Sequence, residues 1–246
     1  MHYRYYTTSR DIWLHFNLYY NETMIDAVKS KVYELLKNEN SGHGMDHIER
    51  VLRLSLLFAE NEGADKDITS LIALLHEVDD YKIFGKENAT NLTNAHLILN
   101  QVDASDDIKN RVIGAIQKIG YKKRLERTKP DTIEGMVVSD ADMCDATGAD
   151  GIVRALKFSL AHNDDFFNKD VFPKSDYTFE KETVSTSVNH MFEKLLPIKK
   201  HMLTESGRKE AEKRRAIMID FLRNFFEEEN VPEWSEYLES FIKNLG

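Results

Sequence analysis

The sequence predicts an all-α fold in a single helical domain, and three observations carry that expectation. Apolar residues recur at helical spacing in nearly every segment. Only 4 prolines and 11 glycines interrupt 246 residues, so helices can run long. No segment carries the alternation of a half-buried strand clearly enough to assign one.

Taken in order, residues 1–21 differ in composition from the rest. They are aromatic, broken by Arg4, Arg10, Asp11 and His15, and read as an N-terminal extension of unclear role. The helical domain is expected over 22–229, with a C-terminal helix in 230–246 packed on it. From Glu22 to Lys37, Ile25, Val28, Val32, Leu35 and Leu36 step by three and four, an amphipathic helix. Asn38 to Gly44 is a polar break. Met45 to Asn61 is the next helix, closed by Gly63, and His47 starts its apolar face. Asp67 is the expected N-cap of the helix that ends at His76. After Gly85 the chain reads as polar until a short helix at Ala95 to Val102. A further helix follows Asp106 and Asp107. YKKRLERTK then forms a basic run, either a solvated face or a cationic lip for phosphate. Thr132 to Gly148 and Gly151 to His162 read as helices. Asn163 to Lys181 reads as a long loop suited to a lid. Glu182 to Leu196 is expected to be a helix ended by Pro197. Glu205 to Glu229 and Trp234 to Leu245 complete the chain.

With 41% hydrophobic and 30% charged residues, the chain can bury a core and remain in solution. A net charge of −9 argues against an extended nucleic-acid-binding face. The single cysteine, Cys144, excludes an internal disulfide and a thiolate cluster, which fits a reducing cytoplasm. No apolar run reaches membrane-spanning length, and the N-terminus lacks a signal-peptide core. A cytoplasmic location is therefore expected.

The chemistry concentrates where apolar runs meet polar clusters. In LLHEVDDYK, His76 and Glu77 stand where a buried helix leaves the core. An imidazole and a carboxylate there suit a first-row transition metal, provided other helices supply more ligands. The alternative is a satisfied polar helix terminus. In DADMCDATGA, Asp140, Asp142 and Asp145 fall within an otherwise apolar helix, with Asp142 and Asp145 on one face. Buried carboxylates need a partner, a proton or a metal. They also fit N-cap and surface positions.

Together with HGMDHIERV and NHMFEKLL, these segments resemble the HD-domain metal-dependent phosphohydrolases, in particular small bacterial HD hydrolases. The pattern there runs HDxxHIxRV, LLHDxxDxK, DADRLDAIGA and NHFYEKLL. His43, His47, Ile48, Arg50 and Val51 fall on the first motif, and His76, Asp80 and Lys82 on the second. Asp140, Asp142, Asp145, Gly148 and Ala149 fall on the third. Asn189, His190, Glu193 and Lys194 fall on the fourth. The resemblance implies an HD-type helical bundle and a divalent ion (Mn, Ni, Co, Fe or Mg) held by His47, His76, Glu77 and Asp142, with Asp140 the second choice for the last place. It implies Glu77 and Asp80 as catalytic groups and His43, Arg50, Lys82 and Lys122 as contacts to a small phosphorylated substrate, in the first instance a nucleotide. A non-catalytic metal- or nucleotide-binding sensor on the same fold is the alternative.

The chain departs from that pattern at the doublet, where Glu77 replaces Asp. Glu keeps the charge and both oxygens but adds a methylene. Ligation therefore survives more readily than the alignment of an attacking water, where ~1 Å is worth about 10²-fold. Gly44 replaces Asp, and Met143-Cys144 replace Arg-Leu, which removes an Arg suited to phosphate.

Overall fold

The structure is a computed structural model. It describes residues 9–39, 42–174 and 186–245, with side chains from residue 23 onward. Among the described residues there is no strand, and the fold is all-α. The helices are α1 (Ser9–Leu36), α2 (Met45–Glu62), α3 (Lys66–Leu75), α4 (Tyr81–Asn91), α5 (Thr93–Gln101) and α6 (Asp106–Ile116). They continue with α7 (Tyr121–Leu125), α8 (Ile133–Asp145), α9 (Gly148–His162), α10 (Ser187–His190), α11 (Glu205–Glu228) and α12 (Pro232–Leu245). No helix among the described residues is long and apolar enough to cross a membrane.

The centre is α3, which buries every residue from Ile68 to Leu75. A helix apolar on all sides must be covered on all sides, and α1, α2, α6 and α8 pack around it. The packing of α2 on α8 is the most extensive in the molecule. This lobe's core is mostly aliphatic, built from residues such as Val28, Ile48, Leu71, Leu99 and Val138. A second core lies toward the C-terminus, where Phe192, Phe226, Trp234 and Leu238 join α11, α12 and the segment after α10.

Several boundaries differ from the sequence expectation. α1 starts at Ser9, upstream of the Glu22 expected to open this helix. Asp65, not Asp67, caps α3, accepting from the N–H groups of Asp67 and Ile68 at 3.0 and 3.2 Å. Asp67 occupies the first turn, where its charge still faces the positive helix end. The stretch after Gly85 is helical: α4 continues to Asn91 across a kink at Gly85, whose φ of 82° lies in the left-handed region. The helix expected to stop at Pro197 instead changes pitch. α10 passes into a π turn (Met191–Leu195) and then a 3₁₀ segment (Leu196–His201). Pro197 sits in the first turn of that segment, where its missing N–H breaks no helical bond. The end of the loop expected as a lid, residues 175–181, lies outside the described residues. Its earlier part, 163–174, carries Phe166 and Phe167, which pack on the aromatic core.

Candidate metal centre

Three helices deliver the central donors, and backbone geometry aims them. His47 lies in the first turn of α2, on its buried face. His76 is the C-cap of α3, and Glu77 follows in the turn. Asp142 is in the last turn of α8. The remaining acids of the EVDD run have structural partners. Asp79 accepts from the N–H groups of Asn94 and Ala95 at 2.8 and 2.9 Å, which anchors α5. Asp80 caps α4 by accepting from Lys82 N–H at 2.8 Å.

Both imidazoles are held in one tautomer by groups that only accept. His47 Nδ1–H donates to Asp145 Oδ2 at 2.7 Å, and His76 Nδ1–H donates to the Ala73 carbonyl at 2.7 Å. Their Nε2 atoms therefore turn toward each other, 3.2 Å apart. Glu77 Oε1 lies 3.7 and 3.6 Å from these two nitrogens, and Asp142 Oδ1 lies 3.5 and 3.9 Å from them. All four ligand atoms fall within 4.8 Å of one another. Bonds of about 2.0–2.2 Å would space neighbouring ligands by roughly 3–3.5 Å, so this donor set fits one divalent first-row ion.

The electrostatics agree with that fit. Burial alone would lower the pKa of His47, but its hydrogen bonds to Asp145 and Glu77 and the charge of Asp142 outweigh it and raise the value to about 9. The surroundings of Nε2 thus favour positive charge there, and an ion bound at that atom would compete with a proton. Burial pushes Glu77 toward protonation, whereas His43, His47 and His76 hold it well below the usual carboxylate range.

Asp145 orients the centre without entering it. It is buried at 2% exposure and takes a fork from Arg50, with Nε donating to Oδ1 at 2.7 Å and Nη2 to Oδ2 at 3.0 Å. Arg154 Nη1 adds a bond to Oδ2 at 2.8 Å. Burial pushes the carboxyl up, but His47 and Arg50 outweigh it and keep it well below its ordinary range. A carboxylate behind a ligating imidazole fixes the ring and raises its basicity. Arg50 is thus turned onto Asp145. Arg154 also donates to the Gly42 carbonyl at 3.2 Å, tying the loop before α2 to α9. The space at Gly44 explains its small residue: a Cβ there would lie 2.5 Å from the Glu39 carbonyl.

Asp140 points elsewhere. It is fully buried and accepts from Leu203 N–H, Thr204 N–H and the Thr204 hydroxyl at 2.7–3.0 Å. It therefore holds the start of α11, and Asp142 is the acid that joins the histidines. Met143 and Cys144 are core residues, and burial pushes the Cys144 thiol far up.

Around Glu77 stand His43, whose Nδ1–H donates to Oε2 at 3.1 Å, and Asp80. Lys82 is exposed at the start of α4, with its ammonium 5.9 Å from the Tyr81 ring. Lys194 comes from the π turn and lies 5.0 Å over the Tyr121 ring. Burial lowers its pKa to about 8, Lys82 and Arg154 push the same way, and Asp142 opposes them. These charges thus share one neighbourhood. Lys122 is exposed on α7, and no contact joins it to the cluster among the described residues. The sequence reading assigned no role to Asp145, Arg154 or Lys194. Two of them lay in recognised motifs, but Arg154 carried no signal beyond its helix face.

Comparison with known proteins places this geometry in a family. The HD domain model matches residues 44–147, which hold all four central donors. YpgQ of Bacillus subtilis, an uncharacterized protein, is 31% identical over 210 residues, covering 84% of this chain and 93% of that one. A crystal structure of YpgQ in complex with ADP superposes with a TM-score of 0.66 at 28% identity, over 85% and 96% of the two chains. A Lactobacillus plantarum protein matches with a TM-score of 0.73 at 31% identity, over 85% of this chain and 98% of that one. An HD-superfamily hydrolase from Bacillus thuringiensis matches with a TM-score of 0.68 at 28% identity, over the same shares. By fold, by motif and by a relative aligned along nearly its whole length, the chain belongs to the HD-domain family.

Proposed function

We propose that this protein is a metal-dependent phosphohydrolase acting on a nucleotide or a similar small phosphate ester. The observation that carries the reading is the pair of inward-turned imidazole nitrogens, 3.2 Å apart, closed by Glu77 and Asp142. The ADP bound to YpgQ and the hydrolase relative from Bacillus thuringiensis support the substrate class.

A divalent ion in such a site lowers the pKa of water and polarises a phosphoryl oxygen. The chain supplies the rest. His47, His76, Glu77 and Asp142 would hold the ion, and Asp145 keeps His47 Nε2 aimed inward. Lys82 and Lys194 neutralise phosphate as point charges, and their mutual repulsion falls when an anion sits between them. His43 and Asp80 border Glu77 on its outer side, beside the reacting phosphate. Displacement at phosphorus depends mainly on such positioning and charge stabilisation.

The test is phosphate release from a nucleotide panel, with Mn²⁺ returned after chelator treatment. The expected result is release by the wild type and none by His76→Ala. Glu77 in the doublet favours a second reading, a metal and nucleotide binder without turnover. Wild type that binds ADP with Mn²⁺ but releases no phosphate, while Glu77→Asp does, would select it.

A further inference from the structure

Cations outside the metal centre collect around two contacting rings. The Tyr121 ring meets the His201 ring edge to face at 5.3 Å, and the Lys194 ammonium lies 5.0 Å from the Tyr121 centroid. α7 and the 3₁₀ segment therefore meet one residue away from Lys122 and Lys200, both exposed. Among the described residues no carboxylate pairs with either lysine, whereas Lys199 and Lys118 are held by Glu212 and Asp131. Arg124 follows Tyr121 by one turn of α7, and its side chain is only 6% exposed. Burial lowers the pKa of His201, and the charges of Arg124 and Lys200 push the same way, so both cations stand near that ring. Arg124 Nη2 donates to Ser139 Oγ at 3.0 Å and lies 3.8 Å from Asp140 Oδ1. Nη1 is buried and has no hydrogen-bond partner among the described residues. A buried charged donor left without an acceptor is costly, so Nη1 points to an acceptor from outside the chain.

We propose that Tyr121, Lys122, Arg124, Lys200 and His201 form an anion subsite for a phosphate group other than the one at the metal centre. The identity of the anion rests on the phosphohydrolase reading above; the need for one rests on Arg124 and the two lysines. A guanidinium donates along fixed N–H directions and the ammoniums act as point charges, a mixture that suits a phosphate dianion. Nη1 is enclosed, so side chains around it must shift for the anion to reach it. Lys194 links the subsite to the centre: Asp142 acts on its charge, and the Tyr121 ring lies beneath its ammonium. One ring's width separates the two regions. Two sources of phosphate fit that spacing, the end of a 5′ phosphate chain and a phosphate on the far side of the ribose. The basic run after Gly120 then serves as a cationic lip, the second of its two sequence readings.

Inorganic tripolyphosphate is the probe, because its binding needs no turnover. Calorimetry on the full chain after chelator treatment measures that binding. Wild type is expected to bind it, and Lys122→Ala with Lys200→Ala, both at exposed positions, should weaken binding at least tenfold. Arg124→Lys keeps the charge but removes the fork, and should weaken it by a similar factor with the melting temperature of the unliganded protein as the check on folding. Competition then separates the sources. Whichever of a nucleoside 5′-triphosphate and a nucleoside 3′,5′-bisphosphate displaces the probe more tightly identifies the phosphate bound, and a 5′-monophosphate should compete at least tenfold less well. No binding by wild type, equal binding by the double lysine variant, or a 5′-monophosphate that competes as well as the others overturns the subsite and leaves the metal centre standing. Loss of binding in the lysine variant, combined with no phosphate release by Mn²⁺-loaded wild type, supports the subsite and overturns only the proposed turnover.

Discussion

The two cores of this molecule solve opposite problems. The C-terminal core is aromatic and electrically quiet: Trp234 stacks on Phe172 at 4.4 Å, packs against Phe167 and Phe226, and satisfies its N–H on the Lys169 carbonyl at 2.9 Å. The α2–α3–α8 core is mostly aliphatic, yet it closes over His47, Glu77, Asp140 and Asp145. Asp140 and Asp145 are each held by several hydrogen bonds, although burial still raises the pKa of Asp140. The four central donors instead turn two imidazole nitrogens and two carboxylates on one another, a set that favours a cation, whether proton or metal, among them. One core is therefore apolar throughout, and the other is built around a cluster that could hold a cation.

The largest expected effect is a control on that contrast. Trp234→Ala should cost about 3–5 kcal/mol, as expected for a buried aromatic truncated in a core. The shift in melting temperature caused by Mn²⁺ should persist in the variant. Loss of that shift would mean that the two cores do not act separately.

Next is the ion itself. An ion at 100 times its dissociation constant should stabilise the wild type by about 2.7 kcal/mol through linkage. Glu77→Gln should abolish the effect, since a neutral amide is a poor ligand. Equal melting shifts in wild type and Glu77→Gln would remove Glu77 from the site.

Asp145→Asn probes the layer behind the ligands. It should weaken Mn²⁺ binding about 10–100-fold while leaving all four donors in place. Calorimetry shows whether that loss appears; unchanged affinity would make Asp145 a packing residue only.

The smallest effect is on pH. The His47 pKa is raised from 6.5 to about 9 in the folded, metal-free protein. Its proton therefore contributes stability in full below about pH 6.5, and the contribution is lost as pH rises through about 9. Because an ion displaces that proton, apparent Mn²⁺ affinity should rise about tenfold from pH 7 to pH 8, about 1.4 kcal/mol. Calorimetry in buffers of different ionisation enthalpy should show about one proton released per ion bound at pH 7.

Much of this arrangement is legible in the chain. His47 begins an apolar stripe, so its burial follows from helical period, and Asp142 and Asp145 share a face for the same reason. Period alone does not separate a ligand from the acid behind it. That depends on where α2 crosses α8, which turns Asp145 to Nδ1 and Asp142 toward Nε2 of the same ring. Asp140 is harder still, because its partners at Leu203 and Thr204 lie more than sixty residues away. Local punctuation misleads where tertiary packing overrides it. Pro197 reads as a stop, yet the change of pitch at the π turn lets the chain continue and presents Lys194 toward Tyr121.

The pairs that complete the centre join remote parts of the chain. His47 and Asp145 are 98 residues apart, and Arg154 and Gly42 are 112 apart. Contacts of high sequence separation must close large loops before they return any energy, so they form late in folding. A centre that forms late would be absent from the folding transition state. An ion that recognises only the assembled centre leaves the folding rate near its metal-free value and slows unfolding instead. A metal bound there would act as a brake on unfolding, and its effect would be read as a longer native lifetime.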